Sequence, residues 1–314
     1  MIKIAVIGIG KMGNYHMQKV IAHENAELIG IYDIDNDKAK KIAEERKCKS
    51  FENIEDAIAS SDALVLASPT TTHYEIARKI LKAGKHLLIE KPIASSIEEA
   101  DELVALAKEN SVKLAVGHIE NFNPALVFAF DYIQNPVFVE AHRLSPFVGR
   151  GIDVSVIMDL MIHDIEILLR IMGKIKDVHA SGGQILTNNI DIASARIGFK
   201  KGIANVTASR ISDRSMRKMR IFSKGGYVSV DFAEKQTEII LAPNFPNIPK
   251  DAQKFPIGDI TFYRLTPNIE ANDQLFEQLS DFIMAIDKDR EPFVSGENGL
   301  EALKLAQKIQ TDIE

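Results

Sequence analysis

Apolar and polar positions follow two different periods along the first 120 residues. Short β-rich runs at 2–7, 28–32, 63–67, 86–89 and 113–116 are separated by stretches whose apolar positions recur at helical spacing. Such alternation predicts βαβ units, a parallel sheet and right-handed connections that place helices on both faces. After residue 120 the texture changes. A helix is predicted over 122–133, a strand over 137–144 and a long helix over 153–172. Strand-like runs follow at 178–186, 192–199, 203–211, 218–222, 227–231 and 238–241, with turn pairs Lys201-Gly202 and Gly225-Gly226 between some of them. Consecutive strands at this spacing predict a largely antiparallel sheet. Residues 242–270, rich in proline and asparagine, read as an extended connection. Two helices close the chain, one with Leu275, Leu279, Phe282 and Ile286 on a common face, the other from about Glu297.

The first strand opens into Gly8, Ile9, Gly10, Lys11, Met12 and Gly13, and the second ends at Asp33, twenty positions past Gly13. Each part has a role in binding a dinucleotide. Gly8 permits the sharp turn, Gly10 lets backbone amides approach a pyrophosphate, and Gly13 lets the following helix lie close to the sheet. The helix presents its positive end to the phosphates. Asp33 can accept hydrogen bonds from the adenine ribose and would repel a 2′-phosphate, so NAD is expected over NADP. Tyr32, Ile34 and Asn36 supply no arginine for such a phosphate, although Lys38 keeps NADP as the lesser alternative. The expected fold class is therefore α/β: a Rossmann dinucleotide-binding domain over 1–120, then an α+β domain over 121–314 with an open, largely antiparallel sheet for substrate binding and oligomerisation. A sheet covered by helices on one face favours a homodimer or homotetramer through the other, against plain solvation of a polar face.

Composition narrows the setting. At 314 residues the chain suits two domains. The net charge is −6, shared equally at −3 by residues 1–120 and 121–314. With no basic half or tail, nucleic-acid binding is not expected. The single cysteine, Cys48, fits a reducing compartment. The first strand starts at Ile2, which leaves no room for a signal peptide, and no apolar run approaches the roughly eighteen residues of a membrane span. A cytoplasmic protein without membrane contact is expected.

Three further segments carry chemistry. Ser68, Pro69, Thr70 and His73 follow the third long strand run, at the sheet edge where open α/β sheets bind ligands; Thr72 also suits a helix cap. Glu90, Lys91 and Pro92 end the next strand, where a lysine could hydrogen-bond a substrate hydroxyl and share its proton, or simply be a solvated strand end. Asp159 and His163 stand four apart, on one face of the predicted helix, and Glu166 continues that stripe. A histidine there can take a proton from an alcohol, with Asp159 orienting it or a neighbouring hydroxyl. A solvated stripe and a metal pair are the other readings; no third ligand is placed by sequence, so no metal is expected.

Together, the glycine turn with Asp33, the segment from Ser68 to His73, Glu90-Lys91-Pro92, and the pair Asp159 and His163 resemble the Gfo/Idh/MocA family of nicotinamide-dependent oxidoreductases over essentially the whole chain. The resemblance implies that Lys91, Asp159 and His163 form the catalytic group, and that a sugar or cyclitol hydroxyl is oxidised to a ketone. Residues 117–124 and 143–164 are similar to the branch of the family that oxidises the 3-hydroxyl of UDP-N-acetylglucosamine, with Asn121 here where those relatives usually carry arginine. A nucleotide sugar is then the expected small-molecule partner. A free sugar or cyclitol, and a redox-assisted reaction without net oxidation, are the alternatives. The cofactor contacts expected are Gly8, Gly10, Lys11, Met12, Gly13, Asp33, Ser68, Pro69, Thr70, His73, Glu90 and Lys91. The substrate contacts expected are Asn121, Asn123, Arg143, Arg150, Asp159 and His163. Arg210, Arg214 and Arg217 are further candidates for a diphosphate, which arginine can grip bidentately.

Overall fold

The computed structural model describes residues 1–149, 154–270 and 272–314. The chain divides into two compact units, Met1–Ile119 with Asp273–Leu303, and Glu120–Asn272 with Lys304–Glu314.

In the first unit, β1 (Ile2–Ile7), β2 (Ala26–Tyr32), β3 (Lys49–Ser50), β4 (Ala63–Leu66), β5 (His86–Ile89) and β6 (Leu114–Val116) form one sheet in the order β3-β2-β1-β4-β5-β6. All neighbours are parallel. β4 is buried along its whole length, as a strand with helices on both faces must be. The connecting helices are α1 (Lys11–Ala22), α2 (Asn36–Arg46), α3 (Ile54–Ser60), α4 (His73–Lys82) and α5 (Ile97–Glu109). Strand order reverses between β1 and β4, the switch point outside whose strand ends open α/β sheets bind ligands. Side chains cap α2, α3 and α5 through Asp35, Asn53 and Ser96; α1 begins at Gly10 with no such cap and no acid in its first turn.

The unit boundary departs from the expected 121–314 division, because part of the C-terminal segment returns to the first core. Before that return come α6 (Pro124–Ala129) and α7 (Ile162–Met172) of the second unit; α8 (Gln274–Asp287) then sets Leu279, Phe282 and Ile283 against Ile4, Val6, Met17 and Val20. Lys19 and Asp273, 2.5 Å apart, join α1 to the start of α8. α9 (Gly296–Ile313) continues across the boundary.

The second unit is built on nine strands: β7 (Pro136–Leu144), β8 (Ile175–Gly183), β9 (Ile192–Phe199), β10 (Gly202–Ser209), β11 (Met216–Ser223), β12 (Gly226–Asp231), β13 (Gln236–Leu241), β14 (Gln253–Ile257) and β15 (Ile260–Leu265). Their order is β14-β15-β13-β12-β11-β7-β10-β9-β8, with only β7 and β10 parallel. β7 alternates: Val139, Ala141 and Arg143 are buried, while Phe138, Glu140 and His142, each one position before them, are half-buried.

Three expectations change here. Residues 242–270 are not merely an extended connection, since β14 and β15 pair around Gly258, which takes φ +59°. The helix expected over 122–133 shrinks to α6, flanked by 3₁₀ turns at Ile119–Phe122 and Phe130–Tyr132, because Pro124 can open an α-helix but not continue one. The strand expected over 178–186 stops at Gly183, because the N–H groups of Ile185, Leu186 and Thr187 turn to donate to Asp191 at 2.9, 2.7 and 2.8 Å. Burial opposes the charge on Asp191, but the Thr187 hydroxyl and these N–H groups outweigh it and hold the carboxyl well below the usual range.

Candidate active site

The first unit folds its glycine turn as a phosphate cradle. Gly8 takes φ +80°, and its N–H donates to the Tyr32 carbonyl at 2.8 Å. A side chain on Gly13 would begin 1.8 Å from the Gly8 carbonyl oxygen, whereas one on Gly10 would meet nothing within 4 Å. Gly10 therefore borders open space in front of the uncapped start of α1, where amides without intrahelical partners can receive a phosphate. The cradle fits a dinucleotide. Lys11 lies beside it with its ammonium 6.0 Å from the Tyr15 ring centroid, and Met12 is half-buried. Asp33 Oδ2 accepts from the Ile9 N–H at 2.8 Å and Oδ1 from the Asp35 N–H at 3.0 Å, which fixes the carboxylate at the end of β2. Lys38 Nζ is 3.9 Å from it.

The next two strand ends are tied together behind their exposed surface. Ser68 Oγ and Thr72 Oγ1 are 2.8 Å apart, and Thr72 Oγ1 donates to the Pro69 carbonyl at 2.8 Å. Pro69 and Thr70 stay near the surface of this turn. His73 does not: it is fully buried, with Nδ1 2.9 Å from the Pro92 carbonyl and Nε2 3.0 Å from the Ser68 carbonyl. Burial lowers its pKa against the upward pull of those carbonyls. It braces the loops through these two carbonyls. Lys91, half-exposed, precedes a cis peptide to Pro92. Glu90 also turns inward, to His16 Nε2 at 2.7 Å.

In the second unit, the helix expected over 153–172 begins with a π turn, Ile157–Met161, before α7. Asp159 lies in that wider turn and His163 in the first turn of α7, both half-buried, so their spacing is not that of an uninterrupted α-helix. π turns recur at functional sites. Ser155, whose Oγ accepts from the Met158 N–H at 3.4 Å, caps the segment and is 2.8 Å from Gln310.

Three expected substrate contacts are corrected by burial. Arg143 is 3% exposed, bidentate to Asp164 at 2.9 and 2.8 Å and bonded to Glu120 at 2.8 Å. Burial works against its charge, but the two carboxylates outweigh that and raise its pKa further. Asn121 donates to Glu166 and accepts from Arg170, while Asn123 donates to the Phe232 carbonyl at 3.0 Å and caps α6. Glu166 thereby leaves the stripe with Asp159 and His163 for an internal network. Arg150 lies outside the described residues. Arg210 is buried and donates to the Val154 carbonyl at 2.6 Å; Arg214 and Arg217 are exposed.

A parallel sheet of this order, a glycine cradle at its switch point and an acid closing the second strand define a dinucleotide-binding protein of the Rossmann class. Residues 2–118 match the model of the GFO_IDH_MocA oxidoreductase family, described by its NAD-binding Rossmann fold. The chain is 34% identical to UDP-N-acetylglucosamine 3-dehydrogenase of Acidithiobacillus ferrooxidans, covering 99% of this chain and 97% of that one. A solved structure of that enzyme superimposes with a TM-score of 0.90 over 99% of this chain and 97% of its own. Myo-inositol 2-dehydrogenase of Thermotoga maritima is 26% identical, over 99% of this chain and 96% of its own. The chain belongs to the Gfo/Idh/MocA family and is a nicotinamide-dependent oxidoreductase. Among the described residues no helix is long and apolar enough to cross a membrane.

Proposed function

We propose that the chain oxidises the 3-hydroxyl of UDP-N-acetylglucosamine to a ketone, with NAD as cofactor. The observation carrying this reading is the full-length likeness to an enzyme of that name. NAD is preferred to NADP because the fixed Asp33 carboxylate would repel a 2′-phosphate, with Lys38 Nζ 3.9 Å from it as the cation that could offset this. When bound, the nicotinamide supplies the hydride acceptor. His163 takes the hydroxyl proton, and Asp159 orients the imidazole or a neighbouring sugar hydroxyl. Lys91 hydrogen-bonds the oxygen as negative charge develops on it, which stabilises that charge.

The test is mass spectrometry of NAD reactions with UDP-N-acetylglucosamine and with myo-inositol, including an amine trap for the ketone. Loss of two hydrogens from the nucleotide sugar is expected; oxidation of inositol alone would replace this substrate by a cyclitol. His163→Ala and Lys91→Ala should each cut turnover about 10²–10⁴-fold with folding intact. Full turnover in both variants would remove these roles.

We further propose a homodimer or homotetramer through the open sheet face, working in the cytoplasm. Phe138, Phe222 and Tyr227 cluster on one face of β7, β11 and β12, with ring centroids 5.8 and 5.0 Å apart, beside the Arg220–Glu140 ion pair. Light scattering is expected to give a multiple of the 34.9 kDa chain, reduced by Phe222→Asp; a monomer mass for the unmodified protein would end this proposal.

A further inference from the structure

The buried face of α1 consists of Gly13, His16, Met17 and Val20, so an imidazole stands in a stripe otherwise small or apolar. His16 is 1% exposed. Its Nδ1 has no hydrogen-bond partner among the described residues, and its Nε2 lies 2.7 Å from Glu90 Oε1. Burying an imidazole with an unsatisfied nitrogen is costlier than burying an aliphatic side chain there. Among the described residues, the one hydrogen bond the ring makes is the one to Glu90.

Glu90 is held on every side. Its N–H donates to the Leu66 carbonyl at 2.9 Å, continuing the pairing of β4 with β5. Gly117 leaves the space its carboxylate fills, since a Cβ at 117 would stand 2.8 Å from Oε2. Oε2 in turn accepts the N–H of Lys91 at 3.3 Å. Burial opposes the Glu90 charge, but the hydrogen bond and charge of His16, with Lys91, outweigh it and keep the carboxyl below its ordinary range. One carboxylate therefore bridges the helix that begins at the phosphate cradle and the main chain of the lysine proposed to handle the substrate oxygen.

We propose that His16 is a positioning residue: by clamping Glu90 from α1, it fixes the turn that carries Lys91 and couples its orientation to the cofactor-binding helix. The role in turnover rests on the function proposed for Lys91; the clamp itself is testable without substrate.

The test compares His16→Phe, which fills the space without a donor, with His16→Gln, which retains one, and with Glu90→Gln, alone and combined. Hydrogen exchange of residues 88–95 is read by mass spectrometry, alongside NAD affinity by calorimetry and the separate values of kcat and KM. His16→Phe should speed exchange in that segment and lower kcat about 10- to 100-fold, since small misplacements of a reacting group cost this much. NAD affinity should change less than about threefold and KM little, because the α1 amides at the cradle are untouched. His16→Gln should restore most of both effects, and adding His16→Phe to Glu90→Gln should change nothing further. If His16→Phe does not fold, Glu90→Gln must show the faster exchange and His16→Gln must not. Unchanged exchange, additive effects of the two sites, or a loss that appears only as weaker NAD binding would each overturn the proposal. Absence of sugar oxidation by the unmodified protein would count against the substrate reading alone, with the exchange data still deciding the clamp.

Discussion

Replacing Arg143 by methionine should destabilise the second unit by about 3–5 kcal/mol, because it leaves two carboxylates buried without their cation. Asp164 and Glu120 hold that guanidinium through three charge-assisted hydrogen bonds of 2.8–2.9 Å, in a site where Arg143 is 3% exposed. Lysine cannot reproduce the fork, so Arg143→Lys should recover only part of the loss. Adding Glu120→Gln and Asp164→Asn should return much of the stability at pH 7, since replacing the whole set is far cheaper than breaking it. Urea denaturation at pH 7 followed by circular dichroism checks all three variants. A single-variant loss below about 1 kcal/mol would mean that solvent reaches the cluster.

The second large effect separates two glycines of one motif. Gly13→Ala places a methyl group 1.8 Å from the Gly8 carbonyl oxygen, a backbone atom that cannot step aside without moving α1 from β1. NAD binding should be lost and the first unit should unfold at lower temperature. Gly10→Ala meets nothing within 4 Å, so the melting temperature should hold. Its methyl group nevertheless enters the space assigned to the pyrophosphate. Losing one or two charge-assisted hydrogen bonds there should weaken NAD about 10- to 1,000-fold. Calorimetric titration beside thermal melts distinguishes the cases, and a Gly10→Ala protein with normal affinity would remove the phosphates from this turn.

The cradle was legible because it is local. Gly8, Gly10, Gly13 and Asp33 lie within one βαβ stretch, and their spacing already implies the turn, the close helix and the acid at the second strand end. The parallel sheet was legible for a similar reason, since five of its six strands are short, largely apolar runs; the two-residue β3, Lys49–Ser50, is polar and left no such signal. His16 also left a signal, as an imidazole three residues after Gly13 on the apolar stripe of α1, but nothing in sequence announces its partner 74 positions away. The family resemblance singled out Lys91, Asp159 and His163, yet the π turn that carries Asp159 has no mark in the helical periodicity.

Arginines and asparagines were the least legible, because their side chains suit a diphosphate and a buried carboxylate equally well. Arg143 was expected to face substrate and instead neutralises Asp164 and Glu120; Asn121 and Asn123 likewise satisfy internal partners. The sequence by itself determined the strand and helix periods, the dinucleotide turn and the order of the chemically active segments, since these depend on near neighbours. Only the tertiary structure decided which polar groups face inward and that α8 returns to the first core. Burial and ion pairing depend on which distant segments meet, and no local spacing records that.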